Sequence, residues 1–247
     1  MANNVAQTLR QQRIDLAAAF RWTARLGMHE GIGNHFTLAV NDDGSEFLVN
    51  PWGKHFSKIK ASDLLRVDRK GNVLEGDGIV ERSAVCIHAP MHYRLSHARC
   101  VLHCHPAHVN AMVAVGERIQ PIHQSAARFY DQVAYDDEFG GLAFADEEGE
   151  RICGKLSNKS VLMMANHGVT VVGNSVAQAF DRLYYIEKVC ETQVLALSTG
   201  RPLKLISEDV AKRTAEQWTG HNGIDLEVDH FTALKDILDE EEPEYAH

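Results

Sequence analysis

The sequence has no apolar run approaching the ~20 residues that a membrane span needs. Its first residues, MANNVAQTLRQQRIDLAAAF, contain no apolar signal core. Neither a membrane-spanning nor a secreted protein is expected, and the expected location is the cytoplasm. Positive charge is scarce: 25 Lys plus Arg stand against 34 Asp plus Glu, a formal net charge of -9. A general nucleic-acid binder needs a basic footprint, so that class is set aside. Anionic small substrates stay open, because a few local cations suffice for them. The five cysteines (Cys86, Cys100, Cys104, Cys153, Cys190) are odd in number and lack CxxC spacing. They read as reduced, buried thiols. No repeat, linker or low-complexity stretch divides the 247 residues. One domain over 1–247 is expected, with 200–247 as a helical and acidic C-terminal extension. That length buries a sizeable core.

What is present alternates in period. Residues 4–28 read as an amphipathic helix, with Leu9, Leu16 and Phe20 near helical spacing and Gly27 at the end. The turn Gly31-Ile32-Gly33-Asn34 leads into an alternating strand over 35–40. A hairpin-type turn at 41–44 leads to a second strand over 46–50. A helical turn at 61–65 precedes strands at 65–68 and 73–75. Helices are expected over 83–95, 107–115, 149–156 and 208–219, and strands over 99–105, 160–165 and 169–172. Residues 129–142 show no clear period. Ser175 caps a long helix over 176–198, whose stripe is Val176, Phe180, Leu183, Cys190, Val194 and Leu197, ended by Gly200 and Pro202. Interleaved strands and helices indicate an α/β fold, and the short early turns make part of its sheet antiparallel.

Histidine is the enriched residue, at 14. The sharpest cluster is Cys100-Val101-Leu102-His103-Cys104-His105-Pro106. In a strand, residues two apart point the same way. His103 and His105 therefore share a face at a strand end, with Leu102 and Cys104 on the other. Two imidazoles on one face suit a divalent cation, and a catalytic metal needs a third protein ligand and an open position. Candidates are His88, His108, His123 and His167. His108 lies past Pro106 and should have turned away, and His88 sits mid-helix as a structural residue would. His167, in the turn Asn166-His167-Gly168 between apolar strands, has no packing reason to be there.

These residues carry a resemblance. The order Gly33-Asn34, Asn50-Pro51-Trp52-Gly53, Ile87-His88, Val101 to His105 and Asn166-His167-Gly168 resembles the class II aldolase and adducin head-domain family. So does the stretch from Gly173 to Leu197. The resemblance runs from about residue 10 to about 200. It implies a three-layer α/β fold, with a central, largely antiparallel sheet flanked by helices. It implies that His103, His105 and His167 hold a divalent metal, usually zinc, with manganese as the other choice. It further implies a homotetramer with sites at subunit interfaces, and a small-molecule substrate. The metal would bind substrate oxygens as a Lewis acid and stabilise the enediolate left when a carbon–carbon bond breaks.

Three departures shape the expected activity. The family's sugar-phosphate aldolases carry a basic Glu four residues before the helix histidine, where this chain has Ala84. Glu81 is the nearest carboxylate and the candidate base. The family's proton-donor tyrosine follows an Ile-His pair, but here Ile122-His123 is followed by Gln124, leaving Tyr130 as the candidate phenol. The phosphate-binding turns are half present, with Gly33, Asn34, Asn50 and Gly53 as candidate substrate-binding residues. Lys54, Arg82 and Arg128 are alternative partners for a substrate carboxylate. The expected function is a metal-dependent lyase that cleaves or decarboxylates a keto, hydroxy or aromatic acid. A noncatalytic adducin-like interaction domain is the alternative, because the adducin head also lacks the Glu. A dehydratase or epimerase is a third reading.

Overall fold

A computed structural model describes residues 2–219 and 225–247. Helix α1 (Ala2–Arg25) opens the chain, and Gly27 follows its end at φ +65°. Strands β1 (His35–Ala39), β2 (Glu46–Val49), β3 (Leu65–Asp68) and β4 (Val73–Glu75) form an antiparallel meander. Helix α2 (Arg82–Arg94), strand β5 (Cys100–Cys104), and helices α3 (Ala107–Ala114) and α4 (Gln124–Ala127) follow. Then come β6 (Val133–Asp136), α5 (Asp146–Leu156), β7 (Val161–Met164), β8 (Gly168–Gly173), α6 (Val176–Ser198), α7 (Glu208–Thr219) and α8 (Leu226–Glu241).

The eight strands form one sheet in the order β4-β3-β2-β1-β5-β8-β7-β6. Every neighbouring pair is antiparallel except β6 with β7. This is the expected three-layer, largely antiparallel arrangement. On one face, Leu16 and Phe20 of α1 and Phe180, Leu183 and Ile186 of α6 pack on Phe36, Leu102, Cys104 and Val171. On the other, Ile87 and Met91 of α2 and Ile152 and Leu156 of α5 pack on Val101, Leu162 and Val172. Helices α2 and α5 approach so closely that a Cβ on Gly149 would lie 1.8 Å from the Cys86 carbonyl oxygen, so only glycine fits there.

Three labelled elements, α4, β6 and α8, are not placed by the sequence reading. Strand β6 lies within the aperiodic stretch, and α8 lies within 200–247, which the sequence reads as a helical and acidic extension without bounds for this helix. Strand β6 is an edge strand, half-buried along most of its length, so its burial pattern does not alternate. Helix α8 fully buries only Phe231 and Leu238, two turns apart, and its acidic residues mask that stripe. All five cysteines are buried and free. Among the described residues, no helix is long and apolar enough to cross a membrane.

Candidate metal centre and its histidine surround

The alternation of β5 sends Cys100, Leu102 and Cys104 into the core beneath α1 and α6. It leaves Val101 and His103 on the α2 face. His103 is 1% exposed. His105 follows the strand end on the same side, and Pro106 starts α3. The third histidine arrives from the β7–β8 turn. There Asn166 adopts φ +54°, a conformation Asn tolerates better than most residues. The His167 N–H donates to the Met164 carbonyl at 3.1 Å, closing the turn. Gly168 is required, because a Cβ would lie 2.5 Å from the His105 ring and 2.6 Å from the Cys104 carbonyl oxygen.

The three rings converge. Ring centroids are 4.9 Å apart for His103 and His105, 4.7 Å for His103 and His167, and 4.9 Å for His105 and His167. One ligand nitrogen from each lies within 4.8 Å of the others. Three nitrogens around tetrahedral zinc sit roughly 3.3 Å apart, from Zn–N distances of about 2.0–2.1 Å. The partners of the outer nitrogens test the fit. His105 Nδ1 lies 2.5 Å from a Glu30 carboxylate oxygen, which only accepts, so Nδ1 carries the proton and Nε2 is bare. His105 Nε2 faces His103 Nε2 at 3.0 Å. That contact is favourable only with a proton or a cation between the nitrogens. His103 Nδ1 has the Thr170 hydroxyl at 3.1 Å, which accepts its proton once Nε2 is bare. Carboxylate and hydroxyl thus brace two of the three rings, as outer partners brace metal-ligating histidines.

Burial drives the electrostatics. It pushes the pKa of His103 well below the ordinary value, with His167 and the other histidines adding to the effect. It pushes His167 down to about 4, helped by His105. Neutral imidazole is the form that binds metal.

Around this triad lies a second set of histidines. The register pairs His35 of β1 with His103 of β5, and their rings stack at 4.9 Å. His35 Nδ1 meets His88 Nε2 of α2 at 2.9 Å. His88 Nδ1 meets the Thr37 hydroxyl at 2.7 Å, and that hydroxyl meets His92 Nε2 at 2.7 Å. His92 Nδ1 ends the chain on the Ala98 carbonyl at 2.8 Å. At the other end, His35 Nε2 lies 3.1 Å from the Ser83 hydroxyl, which also contacts the Glu81 carboxylate. Glu81 is the N-cap of α2, accepting from the Ala84 N–H at 3.0 Å, and lies 3.9 Å from His35 Nε2. The helix start therefore places Glu81 two hydrogen bonds from a ring stacked on the triad.

The remaining sequence candidates fall into two groups. Asn34 and Asn50 are buried beside the loop that carries Glu30. Asn34 Oδ1 accepts from the Glu30 N–H at 2.6 Å, and Asn50 bridges the Phe36 N–H and the Asn34 carbonyl, both at 3.3 Å. Asn34 Nδ2 is buried with no acceptor among the described residues. Gly33 closes this loop through its N–H on the Glu30 carbonyl, and Gly53 sits in an exposed turn at φ +86°. Among the described residues, Tyr130 has no contact with the histidines of the site. Its hydroxyl donates to Glu208 of α7 at 2.7 Å, and that bond pushes the phenol pKa up. Lys54, Arg82 and Arg128 each pair with a carboxylate of this chain, Asp63, Asp146 and Asp181 respectively. His108 has turned away to Glu187 of α6, and His123 caps α4. Sequence reasoning missed Glu30, His35, Thr37, His92 and Thr170. The signals were available for two pairs: His35 and Thr37 share a strand face, and His88 and His92 share a helix face.

Residues 14–194 match the family model described as "Class II Aldolase and Adducin N-terminal domain". The decarboxylase NovR of Streptomyces niveus is 31% identical over 207 residues, covering 83% of this chain and 76% of that protein. Alpha-adducin of Mus musculus is 32% identical over 209 residues, covering 83% of this chain. This chain spans only 28% of alpha-adducin's length. The crystal structure of an aldolase II superfamily protein from Pseudomonas syringae superposes with a TM-score of 0.89 at 30% identity, covering 96% of both chains. The chain belongs to the class II aldolase and adducin N-terminal domain family.

Proposed function

We infer that the chain is a cytoplasmic, divalent-metal-dependent carbon–carbon lyase acting on a small keto, hydroxy or aromatic acid. The observation that carries this reading is the convergence of His103, His105 and His167, with Glu30 and Thr170 bracing two of the rings. Three imidazoles suit zinc best, and manganese second. A cation bound there would supply Lewis acidity, polarising a substrate oxygen and stabilising the negative charge left when the carbon–carbon bond breaks.

The chain's own residues divide the remaining work. Glu30 and Thr170 orient ligand rings. Glu81, beside Ser83 and His35, handles the proton that Ala84 cannot. Asn34, with its unpaired buried amide, has a donor to offer a substrate oxygen, and Gly33, Asn50 and Gly53 shape the turns beside it. Tyr130 lies away from the histidines, so its role as proton donor requires an assembly that brings it to the pocket of a neighbouring subunit. A homotetramer is the assembly we infer. Ala84 favours decarboxylation over sugar-phosphate cleavage, because losing carbon dioxide generates the carbanion without a base. The likeness to NovR, a decarboxylase by name, points the same way.

Ala84 also favours a second reading, a noncatalytic interaction domain like that of adducin. One experiment separates the two. Purified protein is loaded with zinc or manganese and offered hydroxy-, keto- and aromatic acids while carbon dioxide and aldehyde release are followed. Metal-dependent release supports the lyase. Stoichiometric metal binding with no release from any of these acids supports the interaction domain.

A further inference from the structure

The chain of hydrogen bonds behind the triad has one possible direction. The Ala98 carbonyl only accepts, so His92 Nδ1 carries a proton and His92 Nε2 is bare. The Thr37 hydroxyl must then donate to His92 Nε2. A hydroxyl has one hydrogen, so Thr37 Oγ1 accepts from His88 Nδ1, which leaves His88 Nε2 bare. That nitrogen accepts from His35 Nδ1, and His35 Nε2 is left as a bare lone pair facing Ser83. One backbone carbonyl thus sets the tautomers of three buried imidazoles across one strand, β1, and one helix, α2. Burial supports the neutral form of each: it pushes His92 down to about 4, His35 down to about 3, and His88 well below its ordinary value.

At the open end the hydrogens run short. The single Ser83 hydrogen faces two acceptors, His35 Nε2 and the ionised Glu81 carboxylate. We propose that Thr37, His88 and His92 are positioning residues that hold the His35 Nε2 lone pair toward Ser83, so that Glu81, Ser83 and His35 form a unit built to take up one proton beside the metal pocket. Uptake balances simply. The proton bonds to a Glu81 carboxylate oxygen, and the charge there goes from minus one to zero. The Ser83 hydroxyl turns from Glu81 to His35 Nε2, and the protonated carboxyl donates to Ser83 Oγ. Every donor then has an acceptor, and nothing beyond His35 moves. Release reverses these steps. The inference rests on the lyase reading for its use of the proton, but not for the tautomers.

The test is nitrogen-15 imidazole spectroscopy of the zinc-loaded protein, together with turnover. The wild type should show His35, His88 and His92 each protonated at Nδ1 and bare at Nε2. A proton on Nε2 of His88 or His35 overturns the proposal, with no variant needed. Thr37→Val, which removes only the hydroxyl, should leave zinc content unchanged and give His88 and His35 mixed tautomers. It should lower kcat at least tenfold with little change in KM. Thr37→Ser should restore both the tautomers and kcat. Glu81→Gln leaves the bonds among Thr37, His88 and His92 in place, so it should keep the tautomers while turnover falls. Unchanged tautomers and kcat in Thr37→Val would overturn the positioning role. If no lyase substrate is found, the lyase reading fails, and the tautomer spectra still decide this inference.

Discussion

Removing the Glu30 carboxylate should weaken metal binding by about tenfold while leaving the fold intact. The Glu30 carboxylate meets the triad at His105 Nδ1, at 2.5 Å, and its side chain is 68% exposed. A partner that orients a ligating histidine is worth 10–100-fold in metal affinity. Exposure sets where in that range Glu30 falls. Solvent screens its charge, and exposed charge pairs contribute about 0–1 kcal/mol. The tautomer constraint survives that screening, because a carboxylate accepts the Nδ1 proton whatever the dielectric. The lower end follows, about tenfold, or about 1.4 kcal/mol. Glu30→Gln should lose less, since its amide oxygen still accepts. Thr170→Val should lose at least as much as Glu30→Ala. Thr170 is fully buried, and its loss strands the His103 Nδ1 proton with no acceptor, at a cost of about 1–3 kcal/mol. Competition for zinc against a chromogenic chelator measures the affinities, and circular dichroism checks the fold. If Glu30→Ala is folded and binds zinc as tightly as the wild type, then Glu30 does not orient His105, and the assignment of Nε2 as its metal-facing nitrogen collapses.

Other outcomes follow from the same geometry. His105→Ala should abolish stoichiometric metal binding and metal-dependent turnover together; retained binding in a metal-replete preparation would remove His105 from the site. Glu81→Gln should keep fold and metal but lower turnover by about two to four powers of ten, and near-full activity would place the base elsewhere and favour decarboxylation. Sedimentation at micromolar concentration should find an oligomer, and a stable 27.5 kDa monomer would count against the tetramer. Acid should destabilise the metal-free protein. Folded His92 is held at about 4 against an ordinary 6.5, so the unfolded chain takes the proton first. The stability contributed by neutral His92 is complete above about pH 6.5 and lost as pH falls to about 4, in all about 3 kcal/mol from 1.36 kcal/mol per pH unit. Denaturant midpoints between pH 7 and pH 5 should drop for the wild type and drop less for His92→Gln; equal slopes would show that His92 is not the group titrating.

The elements that a periodic pattern specifies were legible, and those fixed by long-range packing were not. The α6 helix reads correctly over 176–198 because a stripe runs its length and Ser175 caps it, the side chain accepting from the Gln178 N–H. Its apolar pattern still overreaches, since Leu197 is 39% exposed where the helix leaves the core. Strand β6 was illegible because its partner, β7, lies 25 residues further on, and only that parallel pairing makes it a strand. Nothing local distinguishes Val133 to Asp136 from a loop.

The candidate site divides along the same line. His103 and His105 could be read together because strand period alone puts them on one face, and His167 because a turn histidine between apolar strands had no packing role. His35 and Thr170 depend on register, and Glu30 on the path of the loop before β1. His35 lies beside His103 only because β1 pairs with β5 in that alignment, and Thr170 flanks His103 only through the β5–β8 pairing. A one-residue slip in either pairing would send both partners to the opposite face. Register is set by the whole buried face, so the surround of the triad is a property of the assembled sheet rather than of any motif. This also explains how Ala84 can replace a family carboxylate without emptying the site of acid–base groups. The sheet row His35–His103–Thr170 brings an imidazole to the triad from β1, and the α2 N-cap brings the Glu81 carboxylate to that imidazole. An imidazole thus lies against the triad, and a carboxylate beside that imidazole, neither of them at the Ala84 position.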